Sequence, residues 1–270
     1  MKPFDENLAL LNGTEKAVRD IRDDQYREIA RGASLSSPPS PDETAALFSQ
    51  LGDERENFPL FCRAICAEFP STPAFFDEDS ADEDPARIAY MQNAYSDRAY
   101  RTFSAHLKNA RAVYFPGFRE VAEEVYYGRA SHAILPLSSS ADGQLLSFRR
   151  LISRYDLRIT SATDVMTGDE TSMRFALLHK GIPPREKMPS VLDLSAVLDE
   201  EPTPGAFLSA CETLGAVLLS VHSRPVGYAE ERVSLDFEFD IRRADASALS
   251  LYLDSSHIRY EIVGCYDVIP

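Results

Sequence analysis

The sequence holds no apolar run of about 18 residues, so no membrane-spanning helix is expected. It opens Met1-Lys2-Pro3-Phe4-Asp5-Glu6, with no basic segment leading into an apolar one. No secretory leader is read there, and the expected compartment is the cytoplasm. Positive charge is in short supply: 28 Lys and Arg stand against 43 Asp and Glu, a net charge of −15. So acidic a chain is a poor partner for nucleic acid. A small anion could bind only where cations or helix N-termini cluster locally. Cysteine is scarce too: Cys62, Cys66, Cys211 and Cys265 fit no metal-ligand spacing. Cys62 and Cys66, one helical turn apart, read as buried core thiols. No metal site and no cofactor are expected.

What is present suffices for real cores. Hydrophobic residues make up 44% of 270, with 15 Phe and 12 Tyr, enough for two or three domains. Residues 1–84 read as helical. Ala17, Ile21 and Ile29 share one face of a first helix, Asp42 suits the N-cap of a second over 43–51, and Phe58, Phe61, Cys62, Ile65 and Phe69 line a third. The stretch 34–41 is a loop, and 76–85 an acidic, solvated linker.

Residues 86–182 alternate strand and helix. Arg87-Ile88-Ala89-Tyr90-Met91 is a strand, 96–107 a helix, 112–115 a second strand, and 116–131 a helix closed by Gly128. The stretch 130–161 organises the rest. Ala133-Ile134-Leu135 suits a buried strand, which Pro136 is expected to stop because it cannot donate to a ladder. A polar loop follows: Ser138, Ser139, Ser140, Asp142 and Gly143. Leu145, Leu146, Phe148, Leu151 and Ile152 then recur at helical spacing, and Leu157, Ile159 and Ser161 alternate as a strand. The loop is placed where a helix N-terminus can offer N–H groups to an anion. Arg149 and Arg150 are expected to face solvent, and His106, His132 and His179 to be structural. After a proline-rich linker at 182–189, residues 190–270 read β-α-β-β-α-β.

These motifs resemble the prephenate dehydratase family. There a strand ends Val-Pro-Ile-Glu-Asn-Ser ahead of a helix and Tyr-Asp-Leu. Here the residues are Leu135-Pro136-Leu137-Ser138-Ser139-Ser140 and Tyr155-Asp156-Leu157. Two further motifs are similar to the regulatory ACT domain of that family: Pro204-Gly205-Ala206-Phe207 and His222-Ser223-Arg224-Pro225, followed by Val263-Gly264-Cys265-Tyr266 as the closing strand. The resemblance implies a two-lobed α/β unit, like a periplasmic binding protein, over 86–182 with the ligand in the cleft between lobes. It implies an ACT domain of ferredoxin-like β-α-β-β-α-β order over 190–270. The helical segment 1–84 stands where bifunctional members carry a chorismate mutase. No converging set of cations can be picked from Arg19, Arg22, Arg27, Arg31, Arg55 and Arg63, so a structural bundle is preferred to a degenerate mutase.

The activity implied is conversion of prephenate to phenylpyruvate, CO₂ and water, a carbon–oxygen lyase step in L-phenylalanine biosynthesis. Departure of hydroxide is its barrier, so a donor at that oxygen helps most. The family places Thr-Arg-Phe there; this chain has Met173-Arg174-Phe175. Arg174 is then the carboxylate anchor, and Thr171 and Ser172 are the nearest hydroxyls. Ser138, Ser139, Ser140, Ser96 and Phe175 are the substrate-side candidates. The family's glycine-rich turn is Met91-Gln92-Asn93-Ala94-Tyr95-Ser96, without its glycines. The effector set is Gly205, Ala206, Phe207, His222, Ser223, Arg224 and Pro225, for L-phenylalanine bound allosterically in a homodimer formed through 190–270. Altered substrate motifs beside nearly intact effector motifs leave two readings: a dehydratase of low activity, or a non-catalytic sensor of aromatic amino acids on the same scaffold.

Overall fold

The computed structural model describes residues 2–32, 37–77, 80, 84–168, 170–198, 202–225 and 233–270. Parts of the 34–41 loop and of the acidic linker lie outside these, as does Arg232, where the third strand of the 190–270 segment is expected to begin. The chain divides into two compact units. One comprises Met1–Ala74, Leu198–Val217 and Arg243–Arg259; the other comprises Phe75–Val197, Leu218–Arg242 and Tyr260–Pro270.

The first unit is helical. It contains α1 (Lys2–Gly32), α2 (Pro41–Leu51), α3 (Phe58–Glu68), α7 (Pro204–Thr213) and α8 (Ala246–Ser255). Helix α3 is its centre: Phe58, Leu60, Phe61, Cys62, Ala64, Ile65 and Cys66 are all buried. Tyr26 of α1 meets Phe61 edge-on, and Phe58 packs on Tyr252 of α8. The inward face of α1 is therefore Tyr26 and Ala30, while Ile21 and Ile29 are exposed. The expected apolar stripe is overridden because a ring at Tyr26 fills the gap beside α3, and Asp53 accepts its hydroxyl. The N-cap of α2 is Ser40 rather than Asp42. Ser40 and Glu43 form a reciprocal capping box, with Pro41 in the first turn.

The second unit is one ten-stranded sheet. Its strands are β1 (Arg87–Met91), β2 (Arg111–Phe115), β3 (His132–Ser139), β4 (Gly143–Gln144), β5 (Arg158–Met166), β6 (Ser172–His179), β7 (Val191–Val197), β8 (Val217–Pro225), β9 (Val233–Asp240) and β10 (Arg259–Ile269). The order is β2-β1-β3-β6-β5-β10-β7-β9-β8, with β4 on β3. Helices α4 (Ala94–Ser104), α5 (Phe118–Tyr126) and α6 (Leu146–Arg154) belong to it. Ala89, Leu135 and Ala176 point to the core shared with Val121, Val125 and Ile152 of α5 and α6. Ile88, Tyr90, Ile134 and Phe175 point to the core shared with Ala99 and Phe103 of α4. Both faces are covered, which is why these strands read as apolar runs rather than alternations.

Three expectations are corrected here. Pro136 does not end β3. The strand continues to Ser139, and its pairing with β6 shifts register between Pro136 and Ser138, an irregularity that tolerates a residue without N–H. The serines do not form a loop at a helix N-terminus: Ser138 pairs with Gln144 and Ser139 with Gly143 in a β3–β4 hairpin. Third, residues 87–179 do not part into two lobes. Their principal strands form one run, β2-β1-β3-β6-β5, hydrogen-bonded edge to edge and continued by β10. The β-α-β-β-α-β order of the last segment is present, with sheet order β10-β7-β9-β8.

Candidate functional site

A cavity of about 220 Å³ opens in the second unit. The β3–β4 hairpin supplies Leu137, Ser138, Ser139, Gly143 and Gln144, β6 supplies Arg174 and α6 Arg149. From the far end of the sheet come Ser220 and His222 on β8 and Glu238 on β9. Strands β6 and β9 stand four places apart in the sheet, so the sheet must curl for both to line one cavity. Register shifts supply the curl: Ile159 to Ser161 in β5 and Gly264 to Asp267 in β10, besides that at Pro136. At Gly264 a Cβ would lie 2.6 Å from Cβ of Ile159, so only glycine lets β10 approach β5 this closely.

The cations of the cavity are already matched. Arg174 sits opposite Asp164 across the β5–β6 ladder. Its Nε and Nη2 donate to the two Asp164 oxygens at 2.8 and 2.9 Å. That pairing raises the guanidinium pKa and outweighs burial, which opposes the charge. Arg149 was expected in solvent and is 5% exposed. Its side chain forms a bidentate pair with Asp193 of β7, the second contact at 2.7 Å, and reaches toward Asp236. Burial opposes its charge, and the two carboxylates outweigh burial. The Asp193 carboxyl is in turn pushed up by complete burial and held down by Arg149. The reason for the correction is helical phase: Arg149 stands three residues before buried Ile152, on the inward face of α6. Arg224 donates to Ser195 at 3.1 Å and Asp236 at 3.3 Å. Tyr266, fully buried, has no hydrogen-bond partner for its hydroxyl among the described residues. Burial, then Asp193, raises its pKa. On the cavity wall Ser220 donates to Glu238 Oε2 at 3.1 Å.

The structure thus gathers Ser138, Ser139, Arg174 and His222 into one cavity. The other residues singled out lie elsewhere. Ser140 accepts the Ser172 N–H at 2.9 Å, tying the hairpin to β6. Thr171 precedes β6, and its hydroxyl meets that of Thr167 at 3.0 Å. Ser96 is buried and accepts from Asn93, the N-cap of α4, at 2.9 Å. Phe175 is core. Ser223 and Arg224 follow His222 on β8, which ends at Pro225. Gly205, Ala206 and Phe207 open α7 in the first unit, where Thr203 caps the Ala206 N–H and Phe207 is buried. Gln144, Arg149, Asp164, Ser220 and Glu238 escaped sequence reasoning. Ser234, Asp236 and Glu238 alternate on β9, a pattern that also describes a solvated face. Asp164 is found only through strand register.

No protein-family model matches the chain, and no curated protein matches it in sequence. Its similarity is to solved structures. A prephenate dehydratase from Streptococcus mutans aligns with a TM-score of 0.57 at 22% identity, over 68% of this chain and 100% of that one. GqqA, described as a novel type of quorum quenching acylase, aligns with a TM-score of 0.52 at 21% identity, over 67% and 94%. A prephenate dehydratase from Arthrobacter aurescens in complex with L-Phe aligns with a TM-score of 0.50 at 14% identity, over 67% and 90%. Among the described residues no helix is long and apolar enough to cross a membrane. At these identities the likeness is one of fold: the chain has the fold of the prephenate dehydratases, the family its sequence motifs resemble.

Proposed function

We propose that this chain is a binding protein built on the prephenate dehydratase fold, with L-phenylalanine or a similar aromatic amino acid as its ligand and little dehydratase turnover. The observation that carries this reading is Arg174 locked in a bidentate pair with Asp164. Prephenate brings two carboxylates, and a site for it needs cations in excess. Here Arg149, Arg174 and Arg224 face Asp164, Asp193, Asp236 and Glu238, so cations are not in excess. Met173 stands where the family has a hydroxyl, and a thioether cannot donate to a departing hydroxide. In this reading residues 190–270 are an ACT domain whose His222–Pro225 and Gly205–Phe207 segments serve the effector in a dimer. The N-terminal helices are structural: the Arg22 and Arg63 guanidiniums are engaged by Asn57 and Asp23. An Arthrobacter protein of the same fold binds L-Phe.

A dehydratase reading retains one observation, that Ser138 and Arg174 line one cavity. Phenylpyruvate formation separates the two. Losing one such donor removes about 10²–10³ in rate, so the wild type should lag by that factor. Met173→Thr combined with Asp164→Asn should restore turnover by freeing the guanidinium and supplying a hydroxyl; Met173→Thr alone should restore less. Rapid turnover by the wild type overturns the proposal. Millimolar L-phenylalanine should raise the melting temperature by mass action on the folded state.

A further inference from the structure

We propose that the cavity beside the serine hairpin is an ammonium site, and that its ligand is a zwitterionic α-amino acid held by Glu238 at the ammonium and by Arg174 at the carboxylate. This deepens the binding reading above and rests on it. Three observations carry it. The first is charge. Both guanidiniums of the lining are matched by carboxylates of the protein: Arg149 by Asp193 and Asp236, and Arg174 by Asp164. Glu238, although its charge does act on Arg174, meets no guanidinium at ion-pair distance. Ser220 donates to its Oε2 at 3.1 Å, and among the described residues it takes part in no ion pair. With Arg224 also on Asp236, four carboxylates meet three guanidiniums, which leaves the surroundings of the cavity one positive charge short. A half-buried carboxylate is costly unless a cation meets it.

The second observation is an orphaned acceptor. Gln144 Oε1 is shielded from solvent without a hydrogen-bond partner, and Gln144 lines the same cavity. Buried acceptors are nearly always satisfied. An ammonium carries three donors and no acceptor. Glu238, Gln144 and the Ser138 hydroxyl all line the cavity and offer it three acceptors. The third is the unused end of Arg174. Nε and Nη2 are committed to Asp164, and Nη1 remains for a ligand carboxylate. A volume of about 220 Å³ is small beside the pockets of drug-sized ligands, which start at about 300 Å³, and suits a single amino acid.

The test is calorimetry on the full chain with three probes: L-phenylalanine, 2-phenylethylamine and 3-phenylpropanoate. The amino acid should bind best, the amine should bind more weakly, and the carboxylate alone should give no heat. Glu238→Gln keeps an acceptor for Ser220 and removes the charge. It should weaken the amino acid and the amine by roughly 10- to 100-fold, the range of a charge-assisted hydrogen bond. Gln144→Leu should weaken both as well, and serves as the second variant if Glu238→Gln unfolds. Phenylalanine binding that survives Glu238→Gln and Gln144→Leu overturns the ammonium site and leaves the binding reading standing. So does a carboxylate that binds as tightly as the amino acid. A wild type that binds none of the three overturns both.

Discussion

Arg149 and Asp193 show what one buried pair asks of its surroundings. The arginine is 5% exposed and the aspartate 0%. Desolvation of both ions is repaid only because the geometry is bidentate and Asp236 adds a second carboxylate. Removing one partner leaves a charge without an opposite in a dry interior. Arg149→Ala should therefore destabilise the fold by about 3–5 kcal/mol, read as a lowered urea midpoint at unchanged slope. Arg149→Met with Asp193→Leu should recover most of that loss, because two apolar groups of like volume leave nothing unpaired. A single variant within 1 kcal/mol of wild type would mean that water reaches the pair. Of these partners the sequence shows little: a helical wheel places Arg149 beside Ile152, but nothing local says that an aspartate 44 residues onward will meet it.

At the scale of elements, β8 is an edge strand with an apolar stripe in water. Val217, Leu219 and Val221 alternate on one face at 58%, 55% and 45% exposure, at the end of the strand order. Edges of this kind pair with another chain unless charge or proline blunts them. The dimer expected for residues 190–270 gives this stripe a cover. Light scattering at micromolar concentration should give a dimer mass, and Leu219→Lys should halve it without loss of helix or sheet signal. A wild-type monomer removes β8 from consideration as the dimer edge. The β-α-β-β-α-β order of the last segment was legible, since its strands are largely apolar runs rich in β-branched and aromatic residues. The serine hairpin was not. Its two-residue strand β4 carries no periodicity, and only pairing to β3 makes it one.

For the whole molecule, the sequence announced the elements and the family of fold, but not how the sheet curls. Three register shifts bring Arg174 and Glu238 to one cavity, and a period-two pattern is blind to all three. What the sequence did hold was a set of neutral, titratable groups bound for the interior, and these fix an alkaline limit. Burial raises Cys66, Cys211 and Cys265 from the usual 9.0 to about 12. Burial, with Cys66 adding to it, raises Cys62 as well. Tyr26, Tyr90, Tyr252 and Tyr266 are all raised above 10.0, burial again first. The sign follows from which state loses protons earlier. The unfolded chain releases these protons near pH 9–10, and the folded chain keeps them to higher pH. Their contribution is thus whole below about pH 9 and is lost as pH climbs toward the folded values. Carboxylates act in the opposite range. Glu43, bonded by the Ser40 backbone, and Asp53, bonded by Tyr26, are lowered, so their support is present at neutral pH and fades on acidification, while Asp193, raised by burial, opposes them. The alkaline limb should be the steeper one, since its groups all pull one way and a chain already at −15 gains further negative charge. Urea midpoints measured in reductant should hold to about pH 9 and then fall steeply to about pH 11. Cys265→Ala should flatten that fall while lowering the midpoint at neutral pH. A midpoint constant from about pH 8 to 11 would show that these thiols and phenols exchange protons in the folded state as freely as in water, and that the interior drawn here is wet.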